Sequence, residues 1–300
     1  ADLNVSMQFK EDTYIPEGDV AVKVSLTGLK GGHSGVDIHL GRANANKLIF
    51  RFLKEAVRDY GVRLSSIEGG SLRNAIPREA FAIITIPGDN VEALWELVSD
   101  YQEMYRSEYK GIENGIHFVA EMTEMPATLI PEEIQDDLIN AIEGCQNGVI
   151  SMLMDFPGTV ESSTNLAIVK SSNEMIEIQI LVRSSSESRK EAVCSSLESV
   201  FSLAGAKVEY DGGYGGWQPN IDSPILKIMQ QAYLDLYGKK PEAKVMHAGL
   251  ECGIIQESYP NMDMISIGPD LQHPHSPDER VSIPSVARTW DFIVTTLARI

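Results

Sequence analysis

Hydrophobic and polar residues alternate between residues 20 and 26, where Val20, Val22, Val24 and Leu26 are interleaved with Lys23 and Ser25. That period of two predicts a strand with one buried face. After a glycine-rich turn, LKGGHSG, the period lengthens: Ala45, Leu48, Ile49, Phe52, Leu53, Ala56 and Val57 share one helical stripe, so the spacing predicts an amphipathic helix over residues 42–60. Strands follow at 62–68 and 80–86, separated by GGSLRNAIPR, and then a helix at 91–106. The unit reads β-α-β-β-α.

A similar order returns. Residues 116–122 read as a strand, 131–143 as a helix with Pro131 in its first turn and acids at its positive end, and 148–154 as another strand. Strands near 164–170 and 174–183 precede a helix opening at Ser186, with Ala192, Val193, Leu197, Val200, Phe201 and Ala204 on one side, and a strand at 207–210 closes the set. Residues 1 to 213 therefore read as one α+β domain with an internal duplication. Four glycines and a proline in DGGYGGWQP, 211–219, mark a hinge. Beyond it, Ser223-Pro224 caps a helix through Tyr237, HAGLECG leads into a short helix, MDMISIG (262–268) reads as an apolar strand, and 285–299 as a terminal helix. This α-β-α order suggests the last part of a doubly wound sheet, and at about 85 residues it is short for an independent domain.

Composition narrows the partners. With 300 residues and 43% hydrophobic content the chain can bury two ordinary cores. Its 25 Lys and Arg against 43 Asp and Glu, net −18, would repel a phosphate backbone or an anionic leaflet, so neither nucleic acid nor membrane is an expected partner. No apolar run is long enough to span a bilayer. Cys145, Cys194 and Cys252 are odd in number, far apart and in no CxxC spacing, which suits a reducing, cytoplasmic setting. The leading ADLNVSMQFKEDTY has no initiator Met, signal or tag, and the sequence is expected to be a piece of a longer chain.

Chemistry-bearing residues cluster in a few loops. In QHPHSPDERV, Pro274 holds the backbone extended between His273 and His275, so one metal ligand is more plausible than two. The loop follows the strand expected at 262–268, and the ends of parallel strands are where open sheets place ligands, so His275 is the candidate; a solvated surface histidine is the plainer reading of these residues alone. The glycines of Gly31-Gly32-His33-Ser34-Gly35 can hold His33 out of the turn as an oxyanion donor, or form a glycine turn that happens to contain a histidine. Asn74, in a loop between strands, could orient a substrate amide or make an Asx turn. Arg183 lies on the strand face opposite Ile176, Ile178, Ile180 and Val182, outside the core, where it could grip a carboxylate or simply be solvated. His247 to Glu251 precede a helix that could receive a carboxylate at its N-terminus. Glu132, Glu133, Asp136 and Asp137 are read as dipole-complementing acids, not as a catalytic cluster. No dinucleotide fingerprint, Walker motif or Gly-x-Ser-x-Gly elbow is present.

Taken in order, GLKGGHSGVDIHLGRANANK, GGSLRNAIPRE, ESSTNLAIV, MHAGLECG and HPHSPDERV resemble the bacterial Xaa-His (aminoacylhistidine) dipeptidases, within the dinuclear-zinc peptidases that include aminoacylase and carnosinase. The resemblance runs from about residue 15 to the end. It implies an α+β lid domain over residues 1–215 and, over 216–300, the C-terminal portion of an α/β zinc-peptidase catalytic domain. It implies two zinc ions per site, replaceable by manganese or cobalt, with His275 as a zinc ligand and His33 as the lid histidine that stabilises the oxyanion. Asn74 and Arg183 then hold the substrate, and Gly249 offers a backbone contact near its C-terminal end. The substrate would be a dipeptide with a free C-terminus, such as β-Ala-His, and the protein a homodimer. The family's His-x-Asp, bridging Asp, Glu-Glu pair and further Asp precede the lid; here no histidine begins His-x-Asp, and the one Glu-Glu pair, Glu132-Glu133, is on the wrong element. The 300 residues alone are therefore expected to be inactive. A non-catalytic dimerisation or peptide-binding module and a related zinc deacylase are the alternatives.

Overall fold

The structure is a computed structural model; it describes all residues except 155–156, 214–216, 218–219, 221, 245–250 and 273–278. The described residues fall into two compact units, Ala1–Gly213 and those that follow.

In the first unit the elements run β1 (Asp2–Gln8), β2 (Asp19–Thr27), β3 (Gly32–His33), α1 (Ala45–Tyr60), β4 (Arg63–Gly69), β5 (Ala75–Ile76), β6 (Ala80–Pro87), α2 (Val91–Glu108) and β7 (His117–Met122). They continue with α3 (Glu132–Gly144), β8 (Gly148–Met152), β9 (Val160–Ser172), β10 (Met175–Ser184), α4 (Glu187–Leu203) and β11 (Lys207–Asp211). One antiparallel sheet takes the order β11-β1-β10-β9-β4-β6-β2-β7, with β8 beside β9, while β3 and β5 form a separate two-stranded ribbon.

The sheet repeats itself. The series β2-α1-β4-β6-α2-β7 yields the order β4-β6-β2-β7, and β1, α3, β9, β10, α4, β11 yield β9-β10-β1-β11, each read outward from the centre of the sheet. The halves join where β4 pairs with β9, at Glu68↔Lys170 and Gly69↔Val169. The hydrophobic pattern places the first strand at 20–26; the structure adds β1 before it, with Leu3, Val5 and Met7 buried between β10 and β11. Without β1 the second half would lack its equivalent of β2.

Local chemistry sets the boundaries. Helix α1 begins at Ala45, the first residue of its apolar stripe and not at the expected residue 42, because Asn44 adopts an extended conformation and its side chain accepts the Lys47 N–H at 3.2 Å. Strand β9 starts at Val160, ahead of its apolar run, because its polar residues are buried and bonded: Ser162 and Ser184 hydroxyls lie 2.8 Å apart and Thr164 donates to the Gln146 carbonyl at 2.8 Å. The four helices contact one another in a layer over one face of the sheet. Phe52, Tyr101, Tyr105 and Phe118 pack there edge to face, and the Tyr105 hydroxyl donates to the Leu48 carbonyl at 2.6 Å.

The second unit contains α5 (Pro224–Tyr237), α6 (Glu251–Ser258), the short hairpin β12 (Leu271–Gln272) and β13 (Arg280–Val281), and α7 (Ile283–Leu297). Ser223 caps α5 by accepting the Leu226 N–H at 3.1 Å. Met229, Ala232 and Phe292 form a small core. The strand expected at 262–268 is not formed: residues 262–270 have no regular structure, and Met262 and Ile267 are exposed. A parallel strand takes its hydrogen bonds from neighbouring strands, and among the described residues of this unit none lies beside it. No helix among the described residues is long and apolar enough to cross a membrane.

Candidate functional site

The site begins with the loop that joins β2 to α1. Both of its ends are held by one carboxylate: buried Glu113, past the end of α2, accepts the Lys30 N–H at 2.8 Å and the Ala43 N–H at 3.1 Å. Gly28 permits the entry, since a Cβ there would strike the Gly115 carbonyl.

Within this frame His33 pairs with Ala75 in the β3–β5 ribbon. Its Nδ1 accepts two backbone N–H groups, from Gly35 and Val36, each at 3.0 Å. An imidazole nitrogen that accepts carries no hydrogen, so in the neutral ring Nε2 is the N–H donor. The backbone around it is equally constrained. Asp37 Oδ2 accepts the His33 N–H at 3.0 Å and pairs with Arg42 at 3.2 Å, and Arg42 also donates to the Gly31 carbonyl at 2.5 Å. Gly32, at φ +144°, leaves no room for a side chain beside Arg42 and Asp37.

Ser34 ties His33's loop to the other candidates. Buried at 1% exposure, it donates its N–H to the Asn74 carbonyl at 2.8 Å, and its hydroxyl accepts from Arg183 Nε at 3.4 Å. Arg183 extends from β10 on the face away from the buried Ile176, Ile178, Ile180 and Val182. The loop carrying Asn74 is anchored through Arg73, which donates to Asn4 at 2.6 Å and Gln179 at 3.2 Å and pairs with Asp2 at 3.1 Å. Asn165 of β9 donates to the carbonyls of Arg73 and Ala75, at 3.2 and 2.8 Å.

His33, Asn74 and Arg183 are thus brought into one cluster. The first two come from the first half of the sheet and Arg183 from the second, so the cluster exists because β4 and β9 pair. Gly249 and His275, with His247, His273 and Asp278, lie outside the described residues. Among the described residues no group of three or more His, Cys, Asp or Glu converges as a metal site, so these residues do not by themselves fit a metal centre. Glu132 pairs with Arg63 at 2.8 Å at the start of α3, which suits a structural reading of that acidic cluster.

Comparison with known proteins places this cluster in context. Residues 24–113 match the family model described as the peptidase dimerisation domain, which ends at Glu113. The cytosol non-specific dipeptidase of Escherichia coli is 42% identical over 286 residues, 95% of this chain and 59% of that protein. The crystal structure of aminoacylhistidine dipeptidase from Vibrio alginolyticus superposes with a TM-score of 0.91 at 43% identity, covering 100% of this chain and 61% of that one. The chain is similar to these dipeptidases over nearly all of its own length. It spans about three fifths of their length.

Ser34, Glu113, Arg73 and Asn165 are the residues that motif reading passes over. Ser34 sits inside the glycine turn, but its role depends on Arg183, 149 residues away. Glu113 and Asn165 bond to backbone groups, and backbone partners leave no trace in residue type.

Proposed function

We propose that this chain belongs to a metal-dependent dipeptidase acting on small dipeptides with a free C-terminus, Xaa-His substrates such as β-Ala-His among them. The observation that carries the reading is that Ser34, the neighbour of His33, bonds both the Asn74 carbonyl and Arg183 Nε, which ties these three residues together, while His33 Nδ1 accepts two backbone N–H groups. Such a set suits a dipeptide: an N–H donor for the carbonyl oxygen as it gains negative charge, an amide for orientation, and a bidentate cation for the terminal carboxylate. Residues 1–215 act as the lid, and 216–300 form the C-terminal part of the catalytic domain, with Gly249 near the substrate carboxylate. Zinc is the metal of this reading, with His275 as one ligand and manganese or cobalt as substitutes. The other ligands and the general base belong to the part of the relatives' length that these 300 residues do not span. The protein is cytoplasmic and a homodimer; the free edge of β4 is already taken by β9 of the same chain, so a second copy would approach the outer strands β7 or β11, or the helices.

The test compares the full-length protein with the 300-residue chain, each purified and loaded with zinc, in hydrolysis of β-Ala-His with and without a chelator. Chelator-sensitive activity in the full-length protein alone is expected, with His275→Ala losing zinc. Hydrolysis by the 300-residue chain that a chelator leaves unchanged would overturn the proposal.

A further inference from the structure

Strand β9 crosses beneath the Asn74 loop and presents Asn165, 1% exposed, to its backbone. The Asn165 amide donates to the carbonyls of Arg73, at 3.2 Å, and Ala75, at 2.8 Å, and the carbonyl between them, that of Asn74, accepts from Ser34 at 2.8 Å. Three successive carbonyls are therefore bonded, the outer two to one side chain, so the backbone on either side of Asn74 is fixed. Two acceptors facing the amide also decide its orientation, since a flipped side chain would set Oδ1 against two carbonyl oxygens. Asn165 Oδ1, at the other end, is buried with no hydrogen-bond partner among the described residues. An unpartnered buried acceptor is unfavourable, and a residue needed only to fill this space could be apolar.

We infer that Asn165 is a positioning residue for Asn74: the second half of the sheet supplies the amide that holds a substrate-binding residue of the first half in place. The inference rests on the dipeptidase reading for the role of Asn74 and deepens it. The same geometry separates asparagine from aspartate. A carboxylate of equal size offers no hydrogen at neutral pH and repels both carbonyls.

The experiment uses the full-length, zinc-loaded protein with Asn165→Ala, Asn165→Asp, Asn74→Ala and the double variant Asn74→Ala/Asn165→Ala. Hydrogen exchange over residues 72–76 is measured together with kcat and KM for β-Ala-His. Exchange at 72–76 is expected to quicken about tenfold in Asn165→Ala, and kcat/KM to fall about tenfold or more. The loss should divide between kcat and KM as it does in Asn74→Ala, and the double variant should be within about twofold of the weaker single variant, because both changes disable the same group. Asn165→Asp should be no better than Asn165→Ala, and it carries the test if the alanine variant does not fold. Unchanged exchange at 72–76, additive losses, or wild-type kinetics in Asn165→Asp would each overturn the inference. If Asn74→Ala leaves kcat/KM intact, the substrate-holding role of Asn74 fails instead, and exchange at 72–76 alone decides whether Asn165 positions the loop.

Discussion

Replacing Glu113 by glutamine should loosen the loop that carries His33 while leaving the sheet beneath it intact. The Glu113 carboxylate is 3% exposed and bridges the Lys30 N–H, at 2.8 Å, and the Ala43 N–H, at 3.1 Å, which are the two ends of that loop. A hydrogen bond to a charged group contributes about 1.5–3 kcal/mol, and a buried donor left without an acceptor costs about 1–3 kcal/mol. Glutamine keeps one acceptor oxygen but turns an NH2 group toward the other N–H, so one charge-assisted bond is lost and a donor faces a donor. The closed loop should then be weakened by about 2–3 kcal/mol, or about 30- to 150-fold in the equilibrium for local opening. Hydrogen exchange followed by mass spectrometry, on peptides covering residues 28–44, reads that equilibrium directly. Peptides from β2 and β6 serve as the reference, since neither strand bonds to Glu113. If exchange across 28–44 changes by less than about threefold while the reference is also unchanged, the bridge is not what closes the loop and the reasoning fails.

Two further outcomes follow from the first unit. Val5, 2% exposed in β1, is paired with Ile178 and Val208; Val5→Asp would bury a charge without a partner and should cost about 4 kcal/mol or more, seen as early urea unfolding and fast exchange in β10 and β11, and an unchanged midpoint would refute the assignment of β1 to the core. The Cys145 thiol is 3% exposed and burial raises its pKa from 9.0 to about 11, so at pH 8 its thiolate is about a hundredfold scarcer than that of an ordinary thiol. Iodoacetamide should label the half-buried Cys252 well before Cys145 in the native protein, and equal rates would contradict the burial. Because the unfolded chain releases this proton first, Cys145 should also lower stability as pH rises from about 9 to 11.

Legibility in the sequence followed the range of the interactions. The period of two across Val20 to Leu26 and the stripe from Ala45 to Val57 correspond to β2 and α1 because each records a single boundary between core and solvent. The cap of α5 was equally local, with Ser223 reaching three residues ahead; the cap of α1 is just as local, but the expected start at 42 passed over Asn44. Strand β1 carries the same alternation at Leu3, Val5 and Met7, but over a shorter stretch with acidic and polar neighbours, and its burial comes from strands near the other end of the unit, as in the pairs Leu3↔Ile180 and Val5↔Val208. At 262–268 an apolar run stays irregular, since apolar residues become a strand only where other strands supply hydrogen bonds.

The candidate site divides along the same line. His33, Asn74 and Arg183 stand out in the sequence as residue types able to donate to an oxyanion, an amide or a carboxylate, and the order of their motifs resembles one peptidase family. Their meeting around Ser34, with Glu113 and Asn165 holding the backbone, was decided by the tertiary structure. The sequence by itself determined the segments whose periodicity records one core boundary, β2 and α1 among them, and which side chains carry usable chemistry, because periodicity and functional groups are properties of neighbouring residues. The fold decided which of those groups share a site, because the pairing of β4 with β9 joins two halves of the chain through backbone hydrogen bonds that leave no mark on residue type.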